Sequence, residues 1–542
     1  MLTSLIFLAG IAATTPCDSL KSLTLPNTTI ESVQLVPAGP YAQPAGAGGG
    51  ARGGGAPPGG AAAAGAPAGR GGAPGGGRGA GAEGGRGGAP GGGRGGGGGG
   101  AAAPTIVPEH CRVTAVLTPS ADSHIAMEAL LPSQEWNGKF QAVGNGGWAG
   151  TISYSAMASA LAEGYATASN DTGHVGGNAA FAIGHPEKLT DFAYRAMHEM
   201  TVQAKAMIKA YYGSPAKLSY YNGCSTGGRQ GLMSAQKYPD DFDAILAGAP
   251  ANNQTHMHTW DLMAASPVMK DPAAAVPAAK LALVNRAVLK ACDGADGVKD
   301  GFLNDPRACK FDPAVLQCKG ADADDCLTAP QVATVKRVYS PAKTASGEVI
   351  FPGKEPGGET GWGLILGANG PAVSIGSFQV AYANANWDGK TFELDRDLKV
   401  VDEKVGSIVN AVNPDLSAFK ARGGKLLMYH GWNDPAISPG NSIDYYTSVQ
   451  KKLGGKQDDF IRLFMVPGMG HCSGGDAPTQ MNWMAALERW RESKTAPESI
   501  TASKVAGNRV EMTRPLCPYP QIAVYKGVGS TNDAENFSCR SK

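Results

Sequence analysis

Three short motifs hold the residue types that acyl transfer requires. The first is Gly223-Cys224-Ser225-Thr226-Gly227, a complete G-x-S-x-G. A serine becomes a nucleophile when a tight, strained turn lifts its hydroxyl clear of its surroundings, and a helix N-terminus beneath it favours developing negative charge. Flanking glycines let such a turn close. The second motif, Tyr429-His430-Gly431-Trp432-Asn433-Asp434-Pro435, offers Asp434 as an acid, and the third, Val466-Pro467-Gly468-Met469-Gly470-His471-Cys472, offers His471 as a base. In that chemistry the histidine takes the serine's proton and later delivers it to the leaving alcohol. The aspartate fixes the histidine's tautomer and stabilises the imidazolium. Each motif also has a plainer reading by itself: a helix N-cap serine beside a packing glycine, an Asn-Asp-Pro turn, and a structural histidine.

The elements around the motifs give them a common setting. Residues 125–131, 140–143 and 165–169 read as strands, and 189–212 as a long helix with Phe192, Met197, Met200, Ala204 and Ile208 at helical spacing. A strand at 217–221, a helix at 227–238 and a strand at 244–249 follow. This alternation predicts parallel βαβ units in an α/β sheet covered on both faces. The rhythm breaks from 252 to 422, then resumes with strands at 425–430 and 461–466 and a helix at 481–491. Ser225, Asp434 and His471 therefore each follow a strand, in the order Ser…Asp…His of an α/β-hydrolase. His174, His256, His258 and His430 lack that placement.

The predicted architecture is an α/β-hydrolase core with a mostly parallel sheet and an inserted lid domain. It begins with a signal peptide at 1–13, an N-terminal segment at 14–45, and a Gly/Ala/Arg-rich insert at 46–104. The core opens over 105–251, gives way to the lid over 252–422, and is completed by 423–542. Residues 46–100 hold 31 of the 77 glycines and no aromatic, Leu, Ile or Val, too little apolar surface to offset ordering entropy, so this stretch is expected to be disordered. A net charge of +1 and a charged fraction of 17% argue against a protein built to bind nucleic acid. No apolar run approaches the ~20 residues of a membrane span.

Residues 2–13 (LTSLIFLAGIAA) resemble the apolar core of a secretory signal without its basic n-region, with Gly10-Ile11-Ala12 as a small-x-small cleavage site. The even count of ten cysteines beside such a signal favours disulfides and a secreted or periplasmic protein. Spacing allows local pairs Cys292 with Cys309, Cys318 with Cys326, and Cys517 with Cys539; Cys17 with Cys111 would close the loop carrying the Gly-rich insert. Cys224 and Cys472 remain. One precedes the candidate nucleophile and the other follows the candidate base. A Ser–His hydrogen bond of about 3 Å would bring them within the Cα separation of about 4.4–6.8 Å that a disulfide needs.

Two further groups complete the candidate site. Gly144-Asn145-Gly146-Gly147-Trp148 follows the strand at 140–143, where this fold places oxyanion donors. The backbone N–H of Gly146 or Gly147 would act with that of Thr226; a flexible turn is the alternative. In Asp293-Gly294-Ala295-Asp296-Gly297-Val298-Lys299-Asp300-Gly301, three carboxylates on a glycine-bent loop suit calcium, with the carbonyls of Val298 and Phe302 completing the shell. The terminal glutamate of an EF-hand is absent, and an acidic surface turn is the other reading.

The combination of Cys224-Ser225, Asp434 and His471-Cys472 resembles the tannase and feruloyl esterase family. The similarity extends through Gly144-Asn145-Gly146-Gly147-Trp148, residues 224–229, the acidic loop and the Asp434 motif, covering roughly 105–540. The resemblance implies Ser225 as nucleophile, His471 as base and Asp434 as its orienting acid. It also implies a disulfide between the paired cysteines at the active site, a calcium-binding acidic loop (Asp293, Asp296, Asp300, Val298, Phe302) and a lid over the substrate. The Gly-rich insert departs from the family pattern.

The expected function is a secreted serine esterase acting on small-molecule or polysaccharide-linked esters of aromatic acids. Feruloyl or hydroxycinnamoyl esters come first and gallate esters next. A terephthalate half-ester would call for a cation facing its free carboxylate. No arginine lies between Arg337 and Arg396, although Lys343, Lys354 or Lys390 could serve. An acyltransferase would use the same triad while excluding water, and a non-enzymatic binding protein would usually have lost a triad member. Trp260, Trp362, Phe378, Tyr382 and Trp387 could sandwich an aromatic acyl ring or pack the lid's own core.

Overall fold

Nine strands form one sheet in the computed structural model, which describes residues 15–43, 104–367 and 370–541. The signal-like stretch and nearly all of the Gly-rich insert lie outside the described residues. In chain order the strands are β1 (Thr28–Val36), β2 (His110–Leu117), β3 (Ile125–Pro132), β4 (Lys139–Val143), β5 (Ala166–Asn170), β6 (Leu218–Cys224), β7 (Ala244–Gly248), β8 (Lys425–Gly431) and β9 (Ile461–Val466). Their spatial order is β1-β2-β3-β5-β4-β6-β7-β8-β9. The run from β5 to β9 is parallel, and β1, β2 and β3 add an antiparallel flank.

Every residue of β5 and β7 is buried, as expected of parallel strands covered on both sides. Adjacent tyrosines on β6 show the alternation. Tyr221 joins the cluster containing Met200, Ile208 and Leu232, while Tyr220 joins the opposite one with Leu427, Phe464 and Trp490. The covering helices include α1 (Tyr154–Ala162), α2 (Ala196–Tyr212), α3 (Thr226–Lys237) and, after the inserted segment, α6 (Gly440–Lys452) and α7 (Trp483–Ser493).

The helix expected over 189–212 starts earlier, at Pro186, and contains a π turn over Asp191–Arg195 before α2 begins. The cause lies elsewhere in the chain: the buried Arg229 guanidinium on α3 donates to the Ala193 carbonyl at 3.0 Å, within that turn. Several elements went unassigned from sequence, among them α1, α6, β2 and the following strands. Strand β1 pairs antiparallel with β2 through a register shift between Ile30 and Ser32. At the C-terminus, β10 (Ile500–Ala506) pairs with β11 (Arg509–Leu516), and β12 (Ile522–Tyr525) with β13 (Phe537–Arg540).

Strands β7 and β8 are parallel neighbours, yet the chain between them leaves the sheet for the whole of 252–422. This segment holds helices α4 (Gln254–Lys270) and α5 (Ala372–Ala381), further helices at Ala278–Cys292 and Ala329–Tyr339, and shorter turns. Some of it packs around Trp260, Val284, Val335, Phe351 and Trp362. A second cluster joins its Leu262, Phe378 and Val405 to Trp148 and Phe192 of the core. Five disulfides close the expected pairs: Cys17–Cys111, Cys224–Cys472, Cys292–Cys309, Cys318–Cys326 and Cys517–Cys539. No helix among the described residues is long and apolar enough to cross a membrane.

Candidate active site

Ser225 stands between the end of β6 and the first turn of α3, with φ 64° and ψ −124°. Such a backbone costs about 1–3 kcal/mol for a non-glycine residue, so its surroundings must hold it. They do so by close packing. A Cβ on Gly223 would lie 2.6 Å from the Gly227 backbone, and one on Gly227 would lie 3.0 Å from the Asn145 carbonyl. The spacing of G-x-S-x-G thus reports two backbone approaches. The Tyr221 hydroxyl donates to the Gly227 carbonyl at 2.8 Å, and the Ser225 N–H donates to the Gly248 carbonyl at 3.0 Å.

The loops after β8 and β9 are zipped together. The Trp432 N–H donates to the Val466 carbonyl and the Asn433 N–H to the Met469 carbonyl, each at 2.9 Å. Gly431 leaves no space for a Cβ, which would meet the Met469 carbonyl oxygen at 2.3 Å. This approach brings His471 Nδ1 to 2.7 Å from Asp434 Oδ2. Asp434 is buried, and its Oδ1 accepts the N–H groups of Ala436 and Ile437 at 2.7 and 2.9 Å. Burial would raise its carboxyl, but the facing rings of His471 and His430, with their hydrogen bonds, hold it well below the usual carboxylate range. A buried anion is therefore in place to orient His471.

The Cys224–Cys472 disulfide, with a Cα separation of 5.9 Å, joins the residue before Ser225 to the residue after His471. Among the described residues no hydrogen bond joins Ser225 Oγ to His471 Nε2. Such bonds are commonly long before substrate arrives.

The loop after β4 is fixed by side chains. The Asn145 backbone N–H donates to Gln230 Oε1 at 3.1 Å, and its side-chain amide donates to the carbonyls of Thr151 and Asn170. Thr226 Oγ1 donates to the Gly147 carbonyl at 2.9 Å, tying this loop to the first residue of α3. The N–H groups of Gly146, Gly147 and Thr226 have no acceptor among the described residues, so they are available to a developing oxyanion. Trp148, next along, donates its indole N–H to the Val373 carbonyl of the inserted segment.

In the acidic loop, Asp293 accepts the Gly301 N–H at 3.2 Å and Asp296 the Val298 N–H at 3.0 Å. Asp300 Oδ2 pairs with Arg514 at 2.6 Å, whereas its Oδ1 is buried without a partner. Burial, with the charges of Asp296 and Asp293, pushes the Asp300 carboxyl up to about 6 against the pull of Arg514. Among the described residues no three His, Cys, Asp or Glu side chains converge in a ready-made cage. The orphaned oxygen and the hard-oxygen donor set fit a cation such as calcium, provided carbonyls such as those of Val298 and Phe302 contribute.

The structure thus brings Asp434 to His471, and the Cys224–Cys472 bridge holds the Ser225 turn beside them. Trp260, Trp362 and Phe378 are buried, Trp387 stacks on Phe378, and Tyr382 stacks on Trp387. Trp260 and Trp362 pack the inserted segment itself, whereas Phe378, Tyr382 and Trp387 belong to the cluster that joins it to Trp148 and Phe192. Sequence reasoning set aside His430, which touches Asp434, and passed over Gln230, which anchors the loop after β4. Only the four-residue spacing from His430 to Asp434 signalled the first; nothing local signalled the second.

The family described as tannase and feruloyl esterase matches residues 111–540. An uncharacterised esterase of Xanthomonas campestris pv. campestris is 38% identical over 490 residues, covering 80% of this chain and 84% of that protein. A protein named "Probable feruloyl esterase B-1" from Aspergillus flavus is 35% identical, covering 81% and 88%. Among solved structures, feruloyl esterase B from Aspergillus oryzae superposes with a TM-score of 0.83 at 30% identity, over 97% of this chain and 99% of that one. Tannin acyl hydrolase from Aspergillus niger shares the fold, with a TM-score of 0.73 at 19% identity over 98% and 94%.

Proposed function

The chain belongs to the tannase and feruloyl esterase family of carboxylic ester hydrolases, and from that premise we propose that it cleaves esters of aromatic carboxylic acids by a Ser-His-Asp double displacement. The observation that carries this reading is the Cys224–Cys472 bridge, because it ties the strained Ser225 turn to a His471 already hydrogen-bonded to a buried Asp434. Feruloyl or hydroxycinnamoyl esters are the first choice and gallate esters the second. Greater identity to feruloyl esterase B than to tannin acyl hydrolase supports that order.

His471 Nε2 removes the Ser225 hydroxyl proton as Oγ attacks the ester carbonyl. The tetrahedral oxygen takes its charge toward the N–H groups of Thr226 and Gly146 or Gly147. His471 then passes the proton to the leaving alcohol, and an acyl-serine remains. Water attacks the acyl carbonyl and loses its proton to His471, which returns it to Ser225 Oγ as the aromatic acid leaves. Through both halves Asp434 keeps His471 in the Nδ1–H tautomer.

Calcium belongs to this proposal as a structural ion held by Asp293, Asp296 and Asp300 with the Val298 and Phe302 carbonyls. It would supply positive charge to a carboxylate cluster, and no step passes through it. Export is likewise proposed; five disulfides support it, since such bonds persist in oxidising compartments.

The test is hydrolysis of methyl ferulate, methyl gallate and a terephthalate half-ester, with Ser225→Ala as the blank. Ferulate turnover should vanish in that variant while the thermal transition stays in place. Turnover that survives the substitution would remove Ser225 from the mechanism, and a preference for gallate or terephthalate would change the substrate class.

A further inference from the structure

His471 is not alone on Asp434. His430, the penultimate residue of β8 and fully buried, places Nε2 3.1 Å from Asp434 Oδ2, the same oxygen that meets His471 Nδ1 at 2.7 Å. The same Nε2 lies 3.2 Å from the Ile437 carbonyl, and Nδ1 lies 2.7 Å from Ser442 Oγ on α6. A carboxylate and a carbonyl only accept hydrogen bonds, so the proton must sit on Nε2. The Ser442 hydroxyl then donates to Nδ1 and selects that tautomer. His430 is thus oriented from one side by α6 and faces Asp434 with a donor on the other.

The two oxygens of Asp434 are held differently. Oδ1 is fixed by backbone, through the N–H groups of Ala436 and Ile437. Among the described residues, Oδ2 is met only by imidazoles. If His430 were absent, Oδ2 would be located by His471 alone, the residue it is meant to position. A satisfied core histidine needs a buried partner. It does not need the very oxygen that orients the base.

We propose that His430 is a positioning residue: its Nε2–H holds Asp434 Oδ2 at the point where His471 Nδ1 meets it, and Ser442 holds the ring that does so. This rests on the reading of Asp434 and His471 given above. Other charged or titratable groups that face Asp434 are Tyr429, one residue before His430, and Lys354 and Asp261 of the inserted segment. A shift on replacing His430 must therefore be measured against this fixed background.

The experiment compares His430→Leu, His430→Gln and His430→Asn in the full chain, with kcat, KM and the pH profile of kcat/KM for an aromatic methyl ester. The leucine variant should lose between about 10- and 100-fold in kcat with little change in KM, the scale expected when a reacting group is displaced by a fraction of an ångström to 1 Å. Its acidic limb should move to higher pH, because a carboxylate deprived of one donor draws the proton on His471 more strongly. Glutamine can extend its amide N–H to the position of Nε2 and should restore most of kcat. Asparagine is one carbon too short and should not. A folded leucine variant with wild-type kcat and an unmoved limb would overturn the proposal. If leucine prevents folding, equal kcat in the Asn and Gln variants would overturn it. Asp434→Asn run in parallel separates the two failures: activity that survives there discards the triad reading itself, whereas activity lost there but kept in His430→Leu discards only the role of His430.

Discussion

Around Ser225, the strand ends are positioned largely by backbone, while side chains fix the loop after β4. Gly223, Gly227 and Gly431 sit where no side chain fits, the loops after β8 and β9 exchange backbone hydrogen bonds, and one disulfide across 248 residues joins the Ser225 turn to the loop after β9. In the segment 252–422, side-chain packing carries more of the positioning, beside a few close backbone approaches such as Gly353 on the Tyr339 carbonyl. Its helices and turns are mostly short, its disulfides close loops of only 17 and 8 residues, and its interior holds Trp260, Trp362 and Phe378. It also buries two charged groups that lack full hydrogen-bond partners, at Asp261 Oδ1 and Lys354 Nζ. Backbone constraints tolerate little variation because a Cβ in the wrong place displaces a strand end. Side-chain packing can be exchanged residue by residue at a modest cost each. The proposed reaction, which must stay constant, suits the first region, and the lid role that the family resemblance implies would suit the second.

The sharpest way to break this contrast is to cut the staple. Cys224→Ser with Cys472→Ser should lower kcat by about a hundredfold if the bridge sets the Ser225–His471 distance to within an ångström. By chain-entropy reasoning so long a loop also contributes about 5–6 kcal/mol to stability, so the denaturant midpoint should fall as well. Kinetics and a denaturant titration on the same preparation check both. A lowered midpoint with kcat intact would mean that the glycine-packed loops position the base unaided.

Chelation should act in the other direction, on stability and not on turnover. Removing calcium from the acidic loop should lower the thermal midpoint by several degrees, on the scale of about 3 kcal/mol for an ion present at a hundred times its dissociation constant. Added calcium should restore it, and kcat at low temperature should stay the same. A transition indifferent to chelator would leave Asp293, Asp296 and Asp300 as a surface turn.

The smallest effect on turnover is expected at Asp261. Burial raises its carboxyl to about 7, against the pull of Lys354 and the Ser374 hydrogen bond. The folded state then binds this proton more tightly than the unfolded state does. Stability from this group is accordingly present at low pH and is lost as pH rises from about 4 through about 7. Asp261→Asn should flatten that region of the profile, gaining in denaturant midpoint at pH 8 relative to pH 5, with kcat unaltered. An unchanged profile would show that Lys354 neutralises Asp261 in spite of the missing contact.

Much of this was legible in the chain, for reasons visible in particular residues. The G-x-S-x-G turn could be read because Gly223 and Gly227 are demanded by contacts four residues apart. The parallel strands could be read because burial on both faces leaves continuous apolar runs such as Ala244–Gly248. Strand β1 could not, because an edge strand that is half exposed and bulged at Ile30 and Ser32 has no clean alternation. The π turn at Asp191–Arg195 could not either, since its cause is Arg229, more than thirty residues later.

Sequence by itself picked out the proposed reacting groups and their order, Ser225, Asp434 and His471, together with the cysteines that pair beside them. Those are local facts: a nucleophile turn, strand ends and neighbouring residues. Tertiary structure alone decided that His430 and His471, 41 positions apart, would share Asp434 Oδ2, and that Gln230 would anchor the loop after β4. Hydrogen bonds between distant side chains depend on how β8, β9 and α3 pack against one another, and no spacing along the chain encodes that distance.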